Sequence, residues 1–134
     1  MSTGKLITKH TYGVSIRNNC IFWRDEGHFV YVCGNNVVIV NFETKDQQFI
    51  TGTTHPFLGL EITCITHLNM KRLIAVAEKS EDHAHITFYD ANSLKKKKTF
   101  STDQLGSKEI VAMSFSHDGM YSHTYQFQRI CVVS

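Results

Sequence analysis

Glu61-Ile-Thr-Cys-Ile-Thr-His67 is followed, within forty residues, by Leu73-Ile-Ala-Val-Ala77, His85-Ile-Thr-Phe-Tyr-Asp90 and Leu94–Phe100, and these four segments decide the fold. The first and third alternate apolar and polar residues, the period of two that marks a strand with one buried face. The second is a short continuous apolar run, which suits a strand buried on both faces. Between them, Asn69–Arg72 reads as a polar turn, Glu78–Ala84 as a charged hairpin loop and Ala91–Ser93 as a second turn. Helix is a poor alternative. The apolar residues are contiguous or alternating and are broken by Gly, Asn or Asp about every 8–12 residues, the spacing of an all-β chain.

Four short antiparallel strands in about forty residues have the size of one β-propeller blade. Working outward, Cys20–Thr51 repeats the order. Cys20-Ile-Phe-Trp23 is strand-prone, Arg24–Gly27 turns, and Phe29-Val-Tyr-Val-Cys33 is a strong strand. Gly34-Asn-Asn36 makes a tight connection to Val37–Phe42, Glu43–Asp46 turns again, and Gln47–Thr51 is a more polar fourth strand. Cys20 lies over Cys64 and Phe29 over Leu73 at an offset of about 44 residues, within the propeller repeat range. A third copy opens at Ile110-Val-Ala-Met-Ser-Phe-Ser116 and turns at His117-Asp-Gly119. The pattern then fails in Met120–Ser134, where Tyr121–Phe127 alternates weakly and Ile130–Val133 is strand-prone. The expected architecture is all-β, a partial propeller of about two four-stranded blades plus the start of a third. Residues 1–19 form an N-terminal segment, 20–51 and 61–100 the two blades, 110–119 the start of the third, and 120–134 a divergent tail. A closed propeller needs at least about four blades.

Composition bounds the rest. The chain has 134 residues, enough for one domain, with 42% hydrophobic and 19% charged residues, an ordinary globular balance that argues against wholesale disorder. A net charge of +2 gives no electrostatic footprint for nucleic acid. The N-terminal decapeptide Met1–His10 lacks the apolar core of a secretory signal, and no apolar run approaches the roughly 20 residues of a membrane helix. Cys20, Cys33, Cys64 and Cys131 contain no CxxC pair, and the first three sit in apolar runs as small hydrophobes, as expected of a reducing, cytoplasmic compartment.

The strand order, with Ser114-Phe-Ser-His-Asp-Gly119 near the third repeat, resembles a WD-repeat propeller. It is most similar to the amino-terminal region of the cilia- and flagella-associated WD-repeat proteins. The matching residues are Asn18-Asn19, Gly34-Asn35 before Val37–Asn41, Asn69–Ala75, Ile86-Thr-Phe-Tyr89, and Met113–Ser116 with Asp118, so the likeness runs from about Tyr12 to Gly119. No Trp-Asp dipeptide ends a third strand: Tyr89-Asp90 stands there in the second copy and Asn41-Phe42 in the first. Gly27-His28 precedes the apolar strand of the first copy instead of opening a blade, so the family's His–Ser/Thr–Trp–Asp network is not carried over. Proteins of that family are longer, with complete propellers and a coiled-coil half, which makes this chain a short or truncated form. The resemblance implies a non-enzymatic scaffold of the ciliary or flagellar axoneme. It implies partners among inner dynein arms, regulatory subunits and tubulin on doublet microtubules.

Candidate chemistry is sparse. Lys95, Lys96, Lys97 and Lys98 form the sharpest charge feature, a contact for an acidic partner surface or a lysine-guarded outer strand. His83 and His85 share a strand face beside Glu81 and Asp82, short of the three or four ligands of a zinc site. Ser116-His117-Asp118 are adjacent on a turn and cannot converge as a catalytic relay. Trp23, Phe29, Tyr31, Phe42, Phe88, Tyr89 and Phe115 sit among Val, Ile and Cys and read as core. No phosphate-binding loop is present. The expectation is no catalysis, no cofactor, no metal, no nucleic acid and no membrane. Partner binding falls to the loops Arg24–Gly27, Thr53–Gly59, Glu78–Ala84 and Ser101–Glu109, and open blade flanks favour self-association. The competing architecture is a small closed β-barrel with a ligand or catalytic cavity, for which the sequence offers no convergent polar groups.

Overall fold

The alternating segments form eleven strands: β1 (Ile21–Asp25), β2 (His28–Cys33), β3 (Asn36–Asn41), β4 (Gln47–Thr51), β5 (Ile62–Leu68), β6 (Leu73–Glu78), β7 (His85–Asp90), β8 (Lys96–Ser101), β9 (Ile110–Phe115), β10 (Ser122–Gln126) and β11 (Ile130–Val133). The structure is a computed structural model. It describes residues 4, 7, 9–13, 21–50, 61–68, 71–81, 83–102 and 108–116 in full, and residues 51, 122–126 and 130–133 by backbone alone. Each strand pairs antiparallel with its sequence neighbour, giving three meandering sheets: β1-β2-β3-β4, β5-β6-β7-β8 and β9-β10-β11. The first two are complete four-stranded blades, and the third has three strands, so the chain is a partial propeller. Among the described residues there is no helix, and hence none long and apolar enough to cross a membrane.

The sheets stack face to face, and two apolar layers hold them. Val30, Val32, Val37, Ile39 and Ile50 of the first sheet meet Ile62, Ile65, Ile74, Val76, Tyr89 and Ala91 of the second, with Phe22 and Leu94 at the margin. Cys64, Ala75, Ala77, Ala84 and Ile86 of the second meet Ile110 and Met113 of the third, flanked by Phe88 and Phe115. The period of two explains how β6 serves both layers. Ile74 and Val76 turn to the first sheet, while Ala75 and Ala77 turn to the third, and all four are at most 2% exposed. A continuous apolar run is what a strand covered on both faces requires.

Turn geometry makes the internal repeat explicit. Asn41 Oδ1 accepts from the Glu43 and Thr44 amides at 2.9 and 3.0 Å, and Asp90 Oδ1 accepts from the Asn92 and Ser93 amides at 3.0 and 2.8 Å. The Phe42 amide donates to Gly27 O and the Ala91 amide to Arg72 O, each at 2.8 Å. Asn41 is therefore equivalent to Asp90, Phe42 to Ala91, and Phe29 to Ile74. This moves two expectations by one residue. Phe29 lies over Ile74 instead of Leu73, and the first copy's counterpart of Tyr89-Asp90 is Val40-Asn41, not Asn41-Phe42. The cause is the connections between strands: the β5–β6 turn is longer than the β1–β2 turn, and the β6–β7 loop is longer than the β2–β3 hairpin.

Lys45 and Leu94 close these matching turns in the left-handed region, at φ 64° and 57°. That conformation costs a non-glycine residue about 1–2 kcal/mol. Lys45 is exposed, whereas Leu94 packs against the first core. We therefore expect Lys45→Gly to raise the thermal midpoint slightly and Leu94→Gly to lower it, because Leu94 forfeits apolar burial of more than about 1 kcal/mol. Parallel thermal melts of the two variants test the contrast.

Candidate interaction surface

In β1, alternation sends Phe22 toward the second sheet and Ile21 and Trp23 to the other side, and a register shift after Trp23 sets Asp25 opposite His28. That other side has no sheet against it among the described residues, and an aromatic cluster lies there. Trp23 meets Phe29 edge-on at 5.7 Å between ring centroids and Phe42 at 6.1 Å, and Phe29 stacks on Tyr31 at 5.9 Å. The Lys45 ammonium sits 4.2 Å from the Phe42 ring centroid. Trp23 is 58% exposed and Phe42 54% exposed, with Ile21 at 63% beside them. The reading of Trp23 and Phe42 as core is thus corrected. Their face is apolar as a core face should be, but no sheet among the described residues packs on its Trp23–Phe42 end. Tyr89, by contrast, is buried.

The opposite end of this face is crossed by residues 11–13. The Thr11 amide donates to Gln47 Oε1 at 2.8 Å, and its carbonyl accepts from the Tyr31 hydroxyl at 3.0 Å and from Gln47 Nε2 at 3.3 Å. Cys33 Sγ donates to the Tyr12 carbonyl at 3.4 Å, so Cys33 is half-buried under this strap, while Cys64 is fully buried between sheets. Cys20 and the Cys131 side chain lie outside the described residues.

A polar network borders the aromatic cluster. Asp25 accepts from Arg24 Nε at 2.9 Å and from the Gly27 amide at 2.9 Å, and lies 2.8 Å from His28 Nδ1. With Nδ1–H donating to the carboxylate, His28 Nε2 accepts from Asn41 Nδ2 at 3.3 Å. Gly27-His28 therefore takes part in a bonded corner of its own, built from Asp25 and Asn41. Sequence spacing missed it because Asn41 reaches the corner only through β2–β3 pairing, which sets His28 opposite Asn41. A shallow open depression of about 420 Å³ lies here, lined by Trp23, Arg24, Asp25 and Glu26. Arg24 also ties the sheets together: its Nη1 donates to Ala91 O at 3.1 Å, and Phe22 beside it stacks on His67 at 5.1 Å with the rings 4° from parallel.

Two titration ranges follow. Burial pushes the Asp25 carboxyl up, but the His28, Arg24 and Gly27 hydrogen bonds outweigh it and hold the group at about 2. The Ser93 and Asn92 amides hold Asp90 at about 2 against a small burial effect. Burial, then the Arg24 charge, lowers His67 below 6.5, with Asp25 opposing more weakly. In every case the folded chain binds the proton less well than the unfolded chain, so acid destabilises. The His67 contribution is complete above pH 6.5 and is lost as pH falls through its lowered value. The carboxylate contributions persist to about pH 4 and disappear toward pH 2. Thermal midpoints should fall in two stages on acidification. His67→Phe, which retains the stack on Phe22, should lose the first stage and keep the second.

The other expected features are placed as follows. Lys95 precedes β8, and Lys96, Lys97 and Lys98 lie on it, at the outer edge of the second sheet, all exposed. Lys97 Nζ is 3.5 Å from Asp90 Oδ2, and Lys98 Nζ is 4.3 Å from the Phe100 ring centroid. The His83 and His85 rings meet edge-on at 5.9 Å, and among the described residues no group of three metal-type ligands forms. His117 and Asp118, the loop 53–59 and residues 103–107 lie outside the described residues.

The fold and this surface define a propeller segment whose first sheet, among the described residues, is uncovered at its Trp23–Phe42 end. Structural comparison agrees on the fold. The chain superposes on part of the Mitotic Checkpoint Complex with TM-score 0.67 at 10% identity, covering 98% of this chain and 42% of that one. It superposes on the extracellular domain of a one-component system from B. thetaiotaomicron with TM-score 0.64 at 15% identity, covering 85% of this chain and 14% of that one. In sequence the chain is similar to cilia- and flagella-associated protein 57 of Mus musculus, 28% identical over 127 residues, which is 90% of this chain and 10% of the relative. It is also similar to cilia- and flagella-associated protein 57 C of Tetrahymena thermophila, 28% identical over 114 residues, covering 80% of this chain and 8% of the relative. The chain thus spans about a tenth of the length of these curated relatives. No family model matches it.

Proposed function

We propose that the chain is a non-enzymatic, WD-repeat-type interaction module of the cilium or flagellum, working on the axoneme. The observation that carries this reading is the similarity, over 90% of the chain, to a protein named for its association with cilia and flagella. Its binding mode is geometric: stacked sheets bury their faces on one another and present rims and edges to partners. Inner dynein arms, axonemal regulatory subunits and tubulin are the partners this reading names. Lys95–Lys98, exposed along the edge of β8, suit an acidic surface such as a tubulin tail. The polar groups of the Asp25 corner are spent on one another and on turn amides, which supports a structural role over a catalytic one.

Proximity labelling from the tagged chain in ciliated cells tests the reading. Axonemal proteins should dominate the labelled set, and replacing Lys95–Lys98 by Ser should deplete tubulin from it. A labelled set without axonemal proteins would overturn the ciliary assignment.

A further inference from the structure

The internal repeat states what the uncovered face of the first sheet is for. Through the matching turns and registers, Trp23 is equivalent to His67, Phe29 to Ile74, Tyr31 to Val76, Val40 to Tyr89 and Phe42 to Ala91. In the second sheet Ile74, Val76, Tyr89 and Ala91 are 0–4% exposed, because the first sheet lies on them. In the first sheet Trp23, Phe29, Tyr31 and Phe42 stand as larger aromatic side chains where the second has His67, Ile74, Val76 and Ala91. Val40 is smaller than Tyr89 and is buried like it, while Trp23 and Phe42 are more than half exposed. At its Trp23–Phe42 end the face has the composition of an inter-sheet layer and the exposure of a surface, while Val38 and Val40 of β3 on the same face are buried. A solvated sheet surface would instead carry charged side chains, as the exposed Lys96–Lys98 of β8 do.

We propose that this face is an inter-blade socket occupied by the third sheet of a second copy of the chain. Within the chain the positions equivalent to Trp23, Phe29 and Phe42 are covered by the face of a preceding blade-type sheet, so the occupant is a sheet of the same kind. The third sheet packs on the second through Ile110 and Met113, and its β9 leaves Val111 37% exposed. Its packing on the first sheet of another copy continues the front-to-back order of the two layers already present. With three sheets per chain, two copies related by a twofold axis give a ring of six sheets, inside the about four to eight blades of closed propellers. Two equivalent contacts close the ring of the described sheets, so association stops at the dimer. Residues 11–13 cross the Tyr31–Cys33 end of the socket, and among the described residues the Trp23–Phe42 end is open to the incoming sheet. The pairing rests on sheet packing and does not depend on the ciliary reading.

The 134-residue chain should sediment and scatter light as a species of twice 15.3 kDa as concentration rises from low micromolar. Trp23 is the chain's one tryptophan, so acrylamide quenching reads the socket directly and should weaken several-fold on association. Phe42→Lys should hold the chain at 15.3 kDa with an unchanged far-ultraviolet spectrum. A photo-crosslinking residue at position 42 should join the partner copy within residues 110–133. A chain that stays monomeric with Trp23 equally quenched at all concentrations overturns the proposal. So does an assembly that grows past the dimer, or a crosslink from position 42 into the first sheet of the other copy.

Discussion

Ile74→Asp leaves the chain without a cooperative unfolding transition. Ile74 is wholly buried in the layer between the first two sheets, among Val30, Ile39, Ile65 and Tyr89. The substitution removes an apolar side chain worth about 2–5 kcal/mol with its cavity. It also places a carboxylate, cut off from water, in a layer whose side chains are apolar but for the Tyr89 hydroxyl, a further cost of several kcal/mol, on the order of the lost packing. Together these rival the roughly 5–15 kcal/mol that stabilises a whole domain. Urea titration followed by circular dichroism should show a sloping baseline in place of a sigmoid. Ile74→Val, which keeps the shape less one methyl group, should cost only about 0.5–1.5 kcal/mol and retain the transition. Near-normal stability of the aspartate variant would mean that the first two sheets do not pack as described.

Ala75→Leu, one residue along the same strand, strikes the other layer. Ala75 and Ala77 face the third sheet and are fully buried, so sheets two and three approach across methyl groups. The equivalent positions of the first sheet are Val30 and Val32, and the first layer is correspondingly thicker in side chains. Leucine at 75 overfills the second layer, at a cost of about 1–3 kcal/mol. The loss should be local. Amide hydrogen exchange in β9 should accelerate strongly, while β2 and β3 keep their protection, because their layer lies on the opposite face of the second sheet. Uniform loss of protection across all three sheets would show that the two layers unfold as one unit.

The two substitutions also separate what was legible in the sequence. Leu73-Ile-Ala-Val-Ala77 announces a strand buried on both sides, since no alternation survives in it. It does not announce which neighbour lies on which side. The turns were legible from Asn, Asp and Gly, but their lengths shifted the repeat by a residue between strands, and only backbone hydrogen bonds reveal that Phe42 answers to Ala91. The Asp25–His28–Asn41 corner was hidden for the same reason, because cross-strand register is set by pairing and not by spacing. Trp23 and Phe42 show the sharper limit. Apolar residues at alternate strand positions predict burial, yet burial needs a second surface, and the Trp23–Phe42 end of the first sheet's outer face has none among the described residues.

The sequence by itself determined the strand succession, the four-strand repeat and the meander of antiparallel pairs. These are set by a local period of two and by turn residues a few positions apart. The tertiary structure decided which face of each strand meets another sheet, how small the residues between sheets two and three must be, and that Trp23 and Phe42 stand more than half exposed. Those outcomes depend on contacts between residues tens of positions apart, and alternation along a strand marks two faces without saying which one finds a neighbour.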